Sequence, residues 1–431
     1  MQEGQQSLGP QLVGPVLGST VVLLSWLLLP PGSVGLRVES TLLLLLSVAL
    51  VVRSRRTLPG FVVSLFAAHA LYSIVLCFYL LPERFDFPLT QAISPESLAV
   101  GLRLLWFIPV MLWNVGSWDP GLRRSASGSP VAFWLLVLGM VAAAAFGIDR
   151  TGVTDVYRVR ITPIYEYTFL LVALAYLYMG KSRSRAIVLL AVCAVIIVQD
   201  AFYGGRATSV QIILVLMMTA LRSRLNIRRV SILALIGFLG GTFIGHARSQ
   251  SEPSGVVAMV RDSLSEGLLT SETASYAYYA SLTHISAAPR VDGAERMNSF
   301  QGFVMQIFVG GQESLTSYVS DNFYVNVGGG VFESYFYFWG GPLLAAVASC
   351  GLAAVIALLG GRRGVMGSAL LIVLLASIPR WLLYSPTAAF RPLLILWLLA
   401  VALGVLFGPL GALAARAPDR ELEEETSSRG A

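Results

Sequence analysis

Apolar residues run along this chain in long blocks separated by short polar connections. The blocks are too long and too evenly apolar to be one buried face of a soluble helix. A helix needs about 20 apolar residues to cross the hydrocarbon of a bilayer. Twelve segments approach that: 12–30, 38–52, 59–81, 98–115, 130–147, 162–180, 186–203, 207–221, 230–246, 332–360, 365–384 and 391–414. One interval breaks the rhythm. Between Ala247 and Phe332 the chain makes a long polar excursion that carries Arg, His and Tyr. The pattern predicts an all-α polytopic integral membrane protein with about twelve transmembrane helices and one long, partly helical extracytoplasmic loop. It divides the chain into membrane helices over 1–246, the loop over 247–331, further membrane helices over 332–415 and a disordered tail over 416–431.

The excursion has its own punctuation. Ser263-x-x-Glu266 has capping-box spacing and predicts the start of a short helix. Ser275–Leu282 is rich in Tyr, as an interfacial surface would be. Phe300–Val309 is apolar but too short to span, which predicts a re-entrant or interfacial helix capped from Asn298-Ser299. Gly328–Gly330 reads as a turn, after which Glu333 passes into the next span beside Phe332, Tyr335 and Phe336.

Composition agrees with the membrane reading: 56% of the 431 residues are hydrophobic and 13% charged. The net charge of +6 reports topology. With the N-terminus inside, the short inner loops 53–58, 116–129, 181–185, 222–229 and 361–364 hold fourteen basic residues against one acid, Asp119. Alternate loops are enriched in register, as the positive-inside rule requires, so both termini are expected in the cytoplasm and the excursion outside. The stretch Met1–Gln11 lacks Lys and Arg and Leu12–Leu29 lacks a small-residue cleavage site, so no cleavable signal peptide is expected. Cys77, Cys193 and Cys350 all lie in apolar segments and imply no disulfide framework. No basic stripe or soluble module points to nucleic acid. The excursion sums to −4, so an anion there must be held by particular arginines and not by a general positive field.

Charges inside or at the rim of spans are the sharper signals, because a charge at a helix centre costs about 2.5–3.5 kcal/mol to insert. They are Arg103, Glu166, Asp200, Arg206, Arg380 and Arg391. Arg206 follows Gly204-Gly205 at an outer turn, where a helix N-terminus and a guanidinium together suit a phosphate; it could equally snorkel to hold a tight hairpin. Arg380 and Arg391 bracket the last outer loop, Trp381–Phe390, and suit a pyrophosphate or pairing with Glu166 or Asp200. Arg290 and Arg296 of the excursion are placed to assist. Glu333 is the first candidate for a base and His284 the second, against the plainer readings of a carboxylate favoured by a helix N-terminus and an incidental loop histidine. No Asp-x-Asp, His-x-x-x-His or Cys-x-x-Cys spacing occurs, nor any nucleotide fingerprint, so neither metal nor cofactor is expected.

Two motifs and their order resemble the Wzy-type oligosaccharide repeat-unit (O-antigen or capsular) polymerases. Gly204-Gly205-Arg206-Ala207 is similar to that family's Gly-Ser-Arg-Gly segment at an outer turn. Gly330-Val-Phe-Glu333-Ser-Tyr-Phe-Tyr-Phe-Trp-Gly-Gly341 is similar to its Gly-x-x-x-Glu-x-Tyr-x-x-Phe-Gly-x-x-Gly stretch. The succession of many spans, one long outer loop and a few final spans is shared. The chain departs from some members in having no Arg followed eleven residues later by Gly in its outer loops. The resemblance implies a metal-independent glycosyltransferase in the bacterial inner membrane. It would move a polyprenyl-pyrophosphate-linked oligosaccharide onto a hydroxyl of a second lipid-linked repeat unit, with flippase and chain-length regulator proteins as partners. Arg206, Arg380, Arg391, Arg290 and Arg296 would hold the pyrophosphate, and Glu333 or His284 would take the proton. An O-antigen ligase or a lipid-linked oligosaccharide flippase are the competing expectations.

Overall fold

The computed structural model describes residues 8–28, 35–82, 93–117, 128–149, 160–203, 207–249, 272–311, 313–326, 328–361 and 364–407. Nearly all of this is helix. The first helices are α1 (Leu8–Leu28), α2 (Leu36–Ser54), α3 (Leu58–Val75, continued by a π-helical turn over Leu76–Leu80), α4 (Pro95–Leu105) and α5 (Phe107–Met111). Then come α6 (Pro130–Phe146), α7 (Pro163–Glu166), α8 (Thr168–Tyr178), α9 (Arg183–Phe202), α10 (Ala207–Met218) and α11 (Ile227–Ser249). The excursion contributes α12 (Glu272–Ala287), α13 (Gly293–Phe308) and α14 (Leu315–Asn322). The chain ends through α15 (Phe332–Gly361), α16 (Val365–Ala376), α17 (Ile378–Leu383) and α18 (Thr387–Phe407). Among the described residues the strand pairing is one short antiparallel ribbon, β1 (Ile148–Asp149) with β2 (Arg160–Ile161).

Among the described residues, five helices are long and apolar enough to cross a membrane: Leu58–Leu80, Pro95–Ser117, Arg183–Phe202, Phe332–Gly361 and Thr387–Phe407. Val13–Leu28, α6, α8, α10 and α16 are apolar but shorter. The outer faces of these helices stay apolar. Leu135 and Leu138 of α6, Val195 and Val198 of α9, and Val401 and Val405 of α18 are all exposed. Apolar faces of this extent are rare on proteins that meet only water, and suit helices that meet hydrocarbon.

Helix ends follow local chemistry. Thr57, Ser94, Ser129 and Ser182 each accept a hydrogen bond from a backbone N–H in the first turn of the helix they precede. Pro59, Pro95 and Pro130 sit in those first turns, where the missing N–H is no loss.

Several boundaries differ from expectation. The segment 365–384 is not one helix: it breaks at Ser377, and α17 starts at Ile378 with Pro379 in its first turn, because proline cannot donate to the preceding turn. The supposed outer loop Trp381–Phe390 is therefore mostly helical, with only 384–386 between α17 and α18. The segment 332–360 bends at Gly340–Gly341, where Gly341 has φ +67 and Pro342 follows. The part after the bend has length enough, at about 1.5 Å per residue, to span hydrocarbon alone. This leaves the aromatic arm Phe332–Trp339 to pack with the excursion. Helix α13 starts at Gly293, capped by Asp292, whose Oδ1 accepts from Glu295 N at 2.8 Å, and not at Asn298-Ser299.

The chain forms two compact units. The first holds Met1–Asp119, Asn226–Gly361 and Ser377–Arg391. In it α2 packs on α3 and α1 on α15, while α12 packs against α3, α4, α14, α15 and α17. The Tyr-rich stretch of α12 is thus interior, not interfacial: Tyr278 is 1% and Tyr279 4% exposed. The second unit holds Pro120–Leu225, Arg362–Ala376 and Pro392–Ala431, with α8 and α10 packed among α6, α9 and α16. Ser263–Glu266, the Gly204-Gly205-Arg206 segment and the tail 416–431 lie outside the described residues.

Candidate functional site

In the first unit the start of α15 is fastened on several sides. The N–H of Gly330 donates to Leu383 O at 3.2 Å, and that of Val331 to the Ser281 hydroxyl at 2.7 Å. The Tyr335 hydroxyl donates to Tyr384 O. Phe332 meets Trp381 edge to face, with ring centroids 6.0 Å apart. The helix carrying Arg380 is in this way held against the turn that delivers Glu333.

His284 of α12 lies at the centre of this fastening. Its Nδ1 is 3.3 Å from Ser334 Oγ and its Nε2 is 3.3 Å from Thr316 Oγ1. The ring meets Tyr335 edge to face at 4.9 Å. A methyl group on Gly330 would come within 2.8 Å of His284 Cε1, so the turn passes where a larger residue would not fit. The Ser334 hydroxyl donates to Val331 O at 2.7 Å, the shorter of its contacts, leaving its oxygen to accept from the ring. The single hydroxyl of Thr316 has three neighbours: it donates to Gly329 O at 3.0 Å and lies 3.0 Å from Tyr335 Oη and 3.3 Å from His284 Nε2. The ring is fully buried, and burial pushes its pKa down to about 3. With both ring nitrogens engaged and its pKa lowered, His284 is a weak base, contrary to the sequence reading. It bridges α12, α14 and α15.

Glu333 has a different character. It is 0% exposed, and neither carboxylate oxygen has a hydrogen-bond partner among the described residues. Burying a carboxylate in this way is costly. An ionisable group kept so within an apolar segment is a functional-site candidate.

The arginines divide into two groups. Arg380 on α17 and Arg391 in the first turns of α18 belong to the same unit as Glu333. Arg391 is half-buried beneath the turn that follows α13: a Cβ on Gly310 would meet its Nη2 at 2.9 Å. Thr387, one turn before it, donates to Gln306 Oε1 of α13 at 3.2 Å. Arg290 is exposed, its guanidinium 5.0 Å over the Tyr324 ring. Arg296 on α13 has a buried Nε without a hydrogen-bond partner among the described residues. Among the other candidates, Arg103 pairs with Glu39 at 3.6 Å. Asp200 accepts from Ser209 N and Oγ at 2.9 and 2.7 Å. Arg206 lies outside the described residues.

Helix α13 has two apolar edges. Phe300 and Phe303 pack on Trp339, and Phe303 also on Phe336. The other edge, Val304, Met305 and Phe308, is exposed and runs through Val309 to the Gly310 turn over Arg391.

The apolar helices and their apolar outer faces define a helical membrane protein. No family model matches the chain, and no curated protein or solved structure does.

Sequence reasoning missed Thr316, Ser334 and Tyr335. Ser334 and Tyr335 sit inside the motif that drew attention to Glu333, but nothing local marks Thr316. Its role follows only from α14 packing against α12.

Proposed function

We propose that this protein is an oligosaccharide repeat-unit polymerase acting at the outer face of a bacterial inner membrane, with both termini in the cytoplasm. The observation that carries the reading is Glu333, a fully buried carboxylate without a hydrogen-bond partner among the described residues, held where α15 begins on the unit that also carries Arg380 and Arg391.

In this reading the acceptor hydroxyl of one lipid-linked repeat unit gives its proton to Glu333 as its oxygen attacks the anomeric carbon of a second. The bond from that carbon to the pyrophosphate oxygen breaks, and polyprenyl pyrophosphate departs. The negative charge that develops on the leaving group is met by Arg391 and Arg380. The exposed apolar edge of α13 leads to Arg391, which supports a ligand with a hydrocarbon tail and an anionic head. The charge asymmetry of the short loops supports the sidedness. Arg290, stacked on Tyr324, stands as a lesser contributor, and His284 as a residue that positions the start of α15.

Arg391→Ala in cells tests the reading. Loss of the polymer ladder, with single repeat units still attached and the protein still in the membrane, is expected. Loss of every attached glycan, single units included, would assign a ligase instead. An unchanged ladder would remove the proposal.

A further inference from the structure

The second unit contains a buried polar face that the proposed chemistry does not use. Thr208 and Gln211 lie three residues apart on α10, and so on one face of it, within its first turns. Each is 1% exposed. Among the described residues, the Thr208 hydroxyl and both ends of the Gln211 amide have no hydrogen-bond partner. The rest of α10 is apolar, running Ile212, Ile213, Leu214, Val215, Leu216. Buried donors and acceptors are satisfied in the great majority of native proteins, so three unsatisfied atoms on one face ask for an explanation.

We propose that Thr208 and Gln211 form a recognition site for the hydroxyl groups of a neutral glycan, closed in this structure. Three properties select that class. An amide supplies a donor and an acceptor side by side, which one sugar hydroxyl can use together by accepting and donating. The threonine hydroxyl adds a group of the same dual character. Among the described residues the charge at this end of α10 is negative: Asp200, buried on α9, is drawn there by Ser209 N and Oγ, so a phosphate would meet a carboxylate. The site would therefore read sugar, and not the pyrophosphate assigned to Arg391. Neither side chain reaches solvent here, so occupancy requires the first turns of α10 to part from a neighbour. The assignment of a glycan rests on the glycosyl-transfer reading; the unsatisfied face does not.

Thr208→Val and Gln211→Leu test it, since both remove hydrogen bonding at nearly constant volume. Purified variants are compared with wild type for Tm, for KM and kcat with lipid-linked repeat units in proteoliposomes, and for inhibition by inorganic pyrophosphate. A site predicts an unchanged or raised Tm, because unsatisfied groups have been removed. It also predicts at least a tenfold rise in KM with kcat less affected and pyrophosphate inhibition unchanged. Unchanged KM, or a Tm lowered by several degrees, overturns the proposal. If wild type itself transfers no sugar, the glycosyl-transfer reading fails. The Tm comparison still decides whether the face is unsatisfied, a rise supporting the site and a fall removing it.

Discussion

Gly310 lies against the guanidinium of Arg391 so closely that a methyl group there would approach Nη2 to 2.9 Å, whereas the next residue, Gly311, has open space around it. Both glycines have φ close to +78, a conformation that costs other residues about 1–2 kcal/mol. Gly311→Ala therefore measures the backbone cost alone, and Gly310→Ala measures that cost plus displacement of Arg391. Both should lower Tm by a similar amount. Only Gly310→Ala should reduce glycosyl transfer, by about tenfold or more, as a shift of about 1 Å in a positioned group commonly does. Equal activity in the two variants would separate Arg391 from the reaction.

His284 sets an acid limit on stability. Its pKa falls from 6.5 in the unfolded chain to about 3 in the folded protein. The unfolded state binds the extra proton first, so the stabilisation is complete above pH 6.5 and lost as pH falls towards 3. Each pH unit in that window removes up to about 1.4 kcal/mol. The Tm of wild type should drop between pH 6.5 and 4.5, and His284→Gln should flatten that drop while lowering Tm at pH 7.5. Thermal melts across the pH range check both.

Thr316 answers to three oxygen or nitrogen neighbours with a single hydroxyl. Thr316→Val leaves His284 Nε2 without its partner, which for a buried polar atom costs about 1–3 kcal/mol. The variant should fold with a lowered Tm. A Tm equal to wild type would show that the bridge contributes nothing to holding α14 on α12.

How much of this was legible in the sequence depends on the range of the interactions. Apolar blocks announced the helices, since insertion in lipid needs only composition and length. The cap residues Thr57, Ser94 and Ser129 could be read from their own neighbourhoods. Glu333 stood out as a lone carboxylate among aromatics, and its burial agrees with that. The break at Ser377 and the early start of α13 at Asp292 were missed, because continuous hydrophobicity outweighed Pro379 in one case and charge masked helix propensity in the other. His284 was read as a loop residue. Only long-range packing of α12 against α3, α4 and α15 turns it into an interior bridge, and no local pattern records that packing.

Phe308 lies on the exposed apolar edge of α13, and Phe303 on the packed edge. With Trp placed singly at each position in proteoliposomes, brominated lipids should quench Phe308→Trp strongly and Phe303→Trp weakly. Equal quenching would detach that edge from hydrocarbon.

The central claim is that Glu333 takes the acceptor proton. Single-turnover glycosyl transfer by Glu333→Gln, measured with lipid-linked repeat units in proteoliposomes, tests it most directly, because the change keeps shape and removes the base. The rate should fall by about 10²–10⁴-fold, with Tm unchanged or raised because the unpaired carboxylate is gone. A wild-type rate from that variant would contradict the account.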